Sequence, residues 1–377
     1  MKIIINKASK RFNRLSFSIF WLVLSVGMTN NVAFAQEVLM QNKAAGLYQD
    51  TLDLPALTMA SAQHSLLLDI AFVGERIVAV GERGHILYSD DHGENWQQAQ
   101  VDSRAQLNAV FFIDDNTGWA VGEDALIMQT TDGGVSWHKQ FDDRDAEVRG
   151  PLLDIYFKNA EQGFAIGVFN KLYFTDNGGE NWQNWQEHAD NLDEWHFFSM
   201  AVSDGHNAES SSGNSSIYLT SEVGLLFRST DGGENFSPLQ TDHDGSFHGL
   251  LVKRDSTGKD VLLAFGVGGK LFSSTDSGNS WLAIATGIES GLAGGSWLTD
   301  GSALIVGANG VMLKVSSDLK HVAKYQRDNG LPLNNVMQTG PDSLVLVGLG
   351  GIQRMLLTEL VSPSIKRVSS STGVQHD

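Results

Sequence analysis

Short apolar segments recur along this chain and line up with one another. Leu66-Leu67-Leu68-Asp69-Ile70-Ala71-Phe72 matches Leu107-Asn108-Ala109-Val110-Phe111-Phe112 and Leu152-Leu153-Asp154-Ile155-Tyr156-Phe157. Runs this short and this nearly continuous in apolar residues predict innermost strands, buried on both faces. A second apolar stretch follows each and ends at glycine: Ile77 to Gly81, Trp119 to Gly122, Phe164 to Gly167, Val261 to Gly266, Leu304 to Gly307, Leu344 to Gly348. Tight turns come next, as in Gly81-Glu82-Arg83-Gly84 and Gly307-Ala308-Asn309-Gly310, where glycine accepts a positive φ at little cost. A third strand (Ile86 to Ser89, Leu271 to Ser274) and a fourth complete a four-stranded unit.

The third strand runs into a repeated phrase, S/T-x-D-x-G-x-x-W/F. It reads Ser89 to Trp96, Thr130 to Trp137, Thr175 to Trp182, Ser229 to Phe236 and Ser274 to Trp281, with a worn copy at Ser316-Ser317-Asp318. The polar slots Asp91, Asp132, Asn177, Asp231, Asp276 and Asp318 are spaced by 41, 45, 54, 45 and 42 residues. That period marks propeller blades. Counting glycine turns gives seven, with Gly224 in the fourth unit and Gly348-Leu349-Gly350-Gly351 in the last. The expected fold is therefore an all-β, seven-bladed β-propeller over residues 36–358. The last unit lacks the phrase, so the N-terminal segment 36–58, through Gly46 to Pro55, is expected to supply its outer strand and close the ring. Gly205 to Ser216 reads as a surface loop, and residues 359–377 as a flexible tail.

Residues 1–35 read as a signal peptide. Lys2, Lys7, Lys10, Arg11 and Arg14 precede an apolar run from Leu15 to about Met28, and Ala33-Phe34-Ala35 supplies a small-x-small cleavage site. The run is shorter than the roughly 20 residues a bilayer span needs, so the mature protein is expected to be exported and not membrane-spanning. The periplasm is the expected compartment, or the thylakoid lumen in a photosynthetic source. Loss of five leader cations takes the formal charge from −18 to near −23, which argues against nucleic acid as a partner. Cysteine is absent, which excludes disulfides, thiolate chemistry and a lipidated cysteine.

In the phrase, the Asp and the Ser/Thr hydroxyl are suited to capture backbone amides of their own turn, while the aromatic fills the space between sheets. Calcium is not expected, because each turn offers one well-placed carboxylate against the about six to eight oxygens calcium takes. No cofactor or metal is expected. The structural positions are thus Asp91, Trp96, Asp132, Trp137, Asn177, Trp182, Asp231, Phe236, Asp276 and Trp281. Phrase and period resemble the Asp-box, or BNR, repeat. Together with the inner-strand and glycine-turn pattern over about residues 46–357, they resemble the photosystem II stability and assembly factor family. The resemblance implies a non-catalytic scaffold that engages a membrane-protein complex or envelope protein by protein–protein interaction.

The alternative is a carbohydrate-active propeller, either a sialidase- or xyloglucanase-type hydrolase or a lectin-like binder. Such a sialidase would carry an Arg-Ile-Pro sequence, but Arg76-Ile77 is followed by Val78. A simpler hydrolase needs two carboxylates about 5–10 Å apart, for which Asp69 and Asp154 are the best pair. They read instead as polar lining of a central channel, with Asn108 in the same slot. No catalytic residues are expected. The glycine-turn face is the expected binding surface, through Arg83, Arg104, Arg149, Trp195, His196 and His248, residue types favoured at interaction hot spots.

Overall fold

The computed structural model describes residues 49–203, 215–361 and 365–367. Two compact units divide at Asp50, and all that follows concerns the second, Thr51–Asp377. The expected leader, residues 36–48 and most of the expected 205–216 loop lie outside the described residues.

Among the described residues seven sheets follow one another as blades, antiparallel except where Gln100–Val101 runs parallel to Ser136–Phe141 in blade 2. Blade 1 comprises Leu67–Val73, Arg76–Gly81, Ile86–Ser89 and Gln97–Gln98. Blade 3 repeats it as Leu152–Phe157, Gly163–Gly167, Leu172–Thr175 and Gln183–Asn184. The innermost strand begins with a bulge in blades 1, 2, 3, 5, 6 and 7, for example between Leu67 and Asp69. This register corrects one expectation. Asp69 pairs with Val80, the slot held by Ala109, Asp154 and Asn335 in blades 2, 3 and 7, whereas Asn108 sits one residue earlier.

The most deeply buried strand is the second, not the innermost. Gly118–Gly122, Gly163–Gly167 and Ala303–Gly307 are buried throughout, while the innermost strands alternate between buried and half-buried positions. The innermost strand turns one face to the central channel; the second has a neighbouring blade on both sides. Its side chains alternate between those two sides. Trp119 and Val121 join the cluster shared with blade 3, and Ala120 joins the one shared with blade 1. Among the described residues seven such clusters each bridge adjacent blades. The last brings Val345 and Val347 of blade 7 against Ile77 and Ala79 of blade 1 and closes the ring.

Closure differs from the expectation in two ways. The described part of the N-terminal segment does not pair with the last blade, whose sheet has three strands among the described residues: Leu333–Gln338, Ser343–Gly348 and Gly351–Leu356. Instead Thr51–Asp53 forms a 3-10 turn that buries Leu52 in the cluster between blades 1 and 2, and the Ala56 amide donates to Val101 O at 2.9 Å. Burial of Leu52 and two cations facing Asp53 hold the segment here. Asp53 lies 2.5 Å from Lys139 and 2.6 Å from Arg144. The tail is corrected as well: Leu357–Val361 forms a 3-10 helix, and Ile365–Arg367 adds a fifth strand to blade 6 beside Val322–Arg327.

Candidate functional site: two ends of a repeated blade

Blades 1 to 5 carry a full Asp-box at one end and the glycine turn at the other. At the Asp-box end the geometry hardly varies. The Ser or Thr hydroxyl donates to the acidic or amide side chain two residues on at 2.8, 2.8, 2.9, 2.7 and 2.8 Å in the five full copies. The same hydroxyl accepts the amide of the second glycine-slot residue, as in Gly93, Gly134, Gly179, Gly233 and Gly278, at 2.8–3.0 Å. The amide four residues beyond each Asp or Asn closes the loop, from Asn95 to Asp91 at 2.8 Å and from Ser136 to Asp132 at 2.9 Å. Those bonds stabilise the charged form. The Asn95 amide leads in holding Asp91 down to about 2; at Asp132 burial pushes upward, but the Ser136 and Thr130 bonds outweigh it.

The aromatics are less uniform than their spacing. Trp137 and Phe236 are fully buried, but Trp96, Trp182 and Trp281 are half-buried. Trp96 and Trp137 donate their indole N–H to Gly93 O and Gly134 O at 3.1 Å. The Ser/Thr and Asp/Asn side chains of the phrase are turned inward on their own loops, which makes this end a scaffold.

The glycine-turn end keeps one device in six of the seven blades, with Ser221 in the slot in blade 4. The strand-ending glycines are extended, with φ −176° at Gly81, so positive φ is not what they supply. A Cβ on Gly81, Gly122, Gly167, Gly266, Gly307 or Gly348 would strike the carbonyl of Leu66, Gln106, Pro151, Ser246, Gly291 or Pro332. That carbonyl accepts the next residue's amide, as from Glu82 at 3.0 Å and Glu123 at 3.1 Å. Glycine serves here for close approach. The left-handed positions come after: Arg83, Asp124, Phe169, Val223, Gly268 and Asn309 have φ between 50° and 63°.

These six tips differ in chemistry on identical backbone. Blades 1 and 2 present Arg83 and Asp124, with Glu82 and Glu123 beside them. Blades 3 and 4 present Phe169, 48% exposed, and Val223, 37% exposed. A bulky or β-branched residue in this conformation costs about 1–2 kcal/mol that Gly avoids. Phe169 begins a row of rings. Its centroid lies 4.7 Å from His196, His196 lies 6.2 Å from Phe198, and Phe198 lies 5.0 Å from His248. The His196 Nδ1 accepts the Phe169 amide at 3.3 Å and stands 3.8 Å from Glu222 Oε2, which also accepts the His196 amide at 3.4 Å. Burial pushes His248 below the usual imidazole range.

The sequence-derived face therefore divides. His196 and His248 belong to one row with Phe169 and Phe198, and Trp195 adjoins it, anchored through the Asn191 side chain. Arg83 and Arg149 are exposed. Arg104 is not a free cation: its guanidinium donates twice to Pro55 O at 3.1 and 3.0 Å and holds the incoming chain. Phe169, Phe198 and Val223 were not singled out from the sequence. For Phe169 and Val223 the signal was a large apolar residue at a turn slot that other blades fill with Arg, Asp, Gly or Asn.

Asp69 and Asp154 lie along the channel as interblade ties. Asp69 accepts Val110 N at 2.9 Å and Asn335 Nδ2 at 2.7 Å; Asp154 accepts Met200 N at 2.7 Å and Ile155 N at 2.8 Å. Asn108 and Asn334 also tie blades together, by donating Nδ2 to Leu152 O and Leu67 O. Burial raises both carboxyls, Asp154 to about 7 with the Asp69 charge adding to the rise. A raised pKa is what a general acid needs, but each Asp154 oxygen is engaged by a main-chain amide, which fits stitching rather than proton donation.

Fold and repeated turn define an Asp-box seven-bladed β-propeller with one uniform and one diversified face. A family model described as photosynthesis system II assembly factor YCF48 matches residues 51–144 and again 94–189. The photosystem II assembly lipoprotein Ycf48 of Synechococcus sp. (strain CC9902) is 27% identical over 169 residues, 45% of this chain and 46% of that protein. Its namesake in Prochlorococcus marinus (strain MIT 9312) is 30% identical over 188 residues, 50% of this chain and 52% of that protein. The chloroplastic photosystem II stability/assembly factor HCF136 of Oryza sativa subsp. japonica is 28% identical over 127 residues, 31% of this chain and 30% of that protein. The chain spans about half the length of the first two of these relatives. A solved structure of YCF48 bound to D1 peptide matches with TM-score 0.59 and 20% identity, covering 80% of this chain and 99% of that one. YCF48 from Cyanidioschyzon merolae gives 0.60 and 16%, covering 78% and 95%. Over residues 51–189 the chain matches the photosystem II assembly factor family model, the family its repeats resemble.

Proposed function

We propose that this protein is a non-catalytic assembly or stability factor that holds a segment of a membrane-protein complex on its glycine-turn face. The observation that carries this reading is the contrast between the two ends of the blades. Side chains that the fold does not require, Arg83, Arg149, Phe169 and the histidine row, gather at one end on a rigid support. Relatives named as photosystem II assembly factors, and one solved as a complex with a D1 peptide, support it. Among the described residues no helix is long and apolar enough to cross a membrane, and no cluster of His, Cys, Asp and Glu could hold a metal.

The leader pattern supports export to the periplasm or a thylakoid lumen, with Gln36 as the mature N-terminus. N-terminal sequencing of envelope-fraction protein tests this; an intact Met1 would overturn it. For the binding role, Arg83→Glu with Arg149→Glu should abolish client co-purification from envelope extract and leave the melting temperature unchanged. Cations on an otherwise acidic molecule steer an acidic patch of a partner and speed encounter. Unaltered co-purification, combined with sugar release that Asp69→Asn eliminates, would replace this reading with the carbohydrate-active one.

A further inference from the structure

We propose that the row Phe169–His196–Phe198–His248, with Glu222, is a pocket for an arginine side chain of the bound client. The inference rests on the assembly-factor reading and names what part of the client it grips. Four rings follow one another from a turn tip, at centroid separations of 4.7, 6.2 and 5.0 Å. Phe169 keeps a strained left-handed backbone at φ 56° while leaving nearly half its surface exposed, so packing does not account for it. Strain of this kind persists where the exposed side chain has a use. Val223 repeats the situation in the next blade at φ 50°.

Charge decides the occupant. Among the described ion pairs, Glu222 has only His196 as a partner, and no Lys or Arg. Glu194, at φ 56°, and Asp193 add exposed carboxylates from the loop that carries His196. Lys171, the cation nearest in sequence to Phe169, is buried and directed at Tyr173 and Asp143. Depression of the His248 pKa by burial keeps that imidazole from competing as a cation. A row of π faces with the Glu222 carboxylate beside its second ring suits a guanidinium, which stacks flat on aromatic rings and forks to a carboxylate. A lysine ammonium lacks the planar face and the fork, so it should bind less well.

The test uses the full mature protein with ring-labelled histidine, titrated with N-acetyl-arginine amide, N-acetyl-lysine amide and N-acetyl-leucine amide. Expected is saturable movement of the His196 and His248 ring signals with the arginine probe, about fivefold tighter than with lysine. Phe169→Ala and Glu222→Gln should each weaken the arginine response by about fivefold at unchanged melting temperature. Lys320→Ala, at the exposed Asp-box end of blade 6, should leave it intact. No saturation, or an equal response to the leucine probe, overturns the pocket. Client capture by the unmodified protein reads the assembly role separately. Capture without an arginine response sinks the pocket alone; an arginine response without any captured client sinks the assembly reading alone.

Discussion

The two ends of each blade were built from the same repeat, yet one is nearly constant and the other varies from blade to blade. At the Asp-box end the hydroxyl-to-carboxylate or carboxamide distance holds within 2.7–2.9 Å across five full copies, although Asn177 replaces Asp in one. At the glycine-turn end six tips share a backbone conformation and carry Arg, Asp, Phe, Val, Gly and Asn. Where hydrogen bonds must be satisfied locally, few residue types serve. Where the main chain satisfies itself, the side chain is released for other work.

The comparison can be broken most forcefully at Trp137. It is fully buried, and Trp137→Ala should cost about 3–5 kcal/mol, read as a shift in denaturation midpoint. The same change at half-buried Trp182 should cost visibly less. Equal effects at both would mean the blades do not differ as described. Next comes Thr130→Val, which leaves the buried Gly134 amide unpaired and should cost about 1–3 kcal/mol. Asp132→Ala should fall below it, since that side chain is exposed.

Acid sharpens the contrast through sign. Asp91, Asp132, Asp231 and Asp276 are depressed in the folded state, so their contribution is present above the ordinary carboxylate range and lost as pH falls from about 4 toward 2. Asp154 runs oppositely: raised to about 7, it favours the folded state below pH 4 and loses that contribution as pH climbs through 7. Melting temperatures against pH should show both slopes, and Asp154→Asn should flatten only the upper one. The smallest effects are expected on the turn face, where Phe169→Ala and Arg83→Glu should shift stability by no more than about 0.5 kcal/mol. A large loss at Phe169 would make it a packing residue.

Much of the fold was legible because the Asp-box is a self-contained turn, written in local sequence at blade spacing. The channel ties were half legible: Asp69 and Asp154 stood out, but a bulge that no composition reveals shifted Asn108 out of their slot. The burial order was misread because continuous apolar content cannot separate a strand lining a channel from one with blades on both sides. Phe169 passed unnoticed for a related reason. In sequence it is one more apolar residue beside a strand, and only the left-handed turn puts it outside.

The incoming chain has a consequence of its own. Residues 51–65 cross three blades: Asp53 is clamped by Lys139 and Arg144, Gln98 holds Met59 N and Leu57 O at 2.9 Å, and Ala62–His64 lies over Gly351 of the last blade. This stretch acts as a strap over the seam where the ring begins and ends. A circular assembly fails first where it was joined, and here the joint cannot gape until the strap lets go. Loosening the strap should therefore shorten the lifetime of the folded ring more than it slows refolding. Asp53→Asn should raise the unfolding rate with little change in the folding limb.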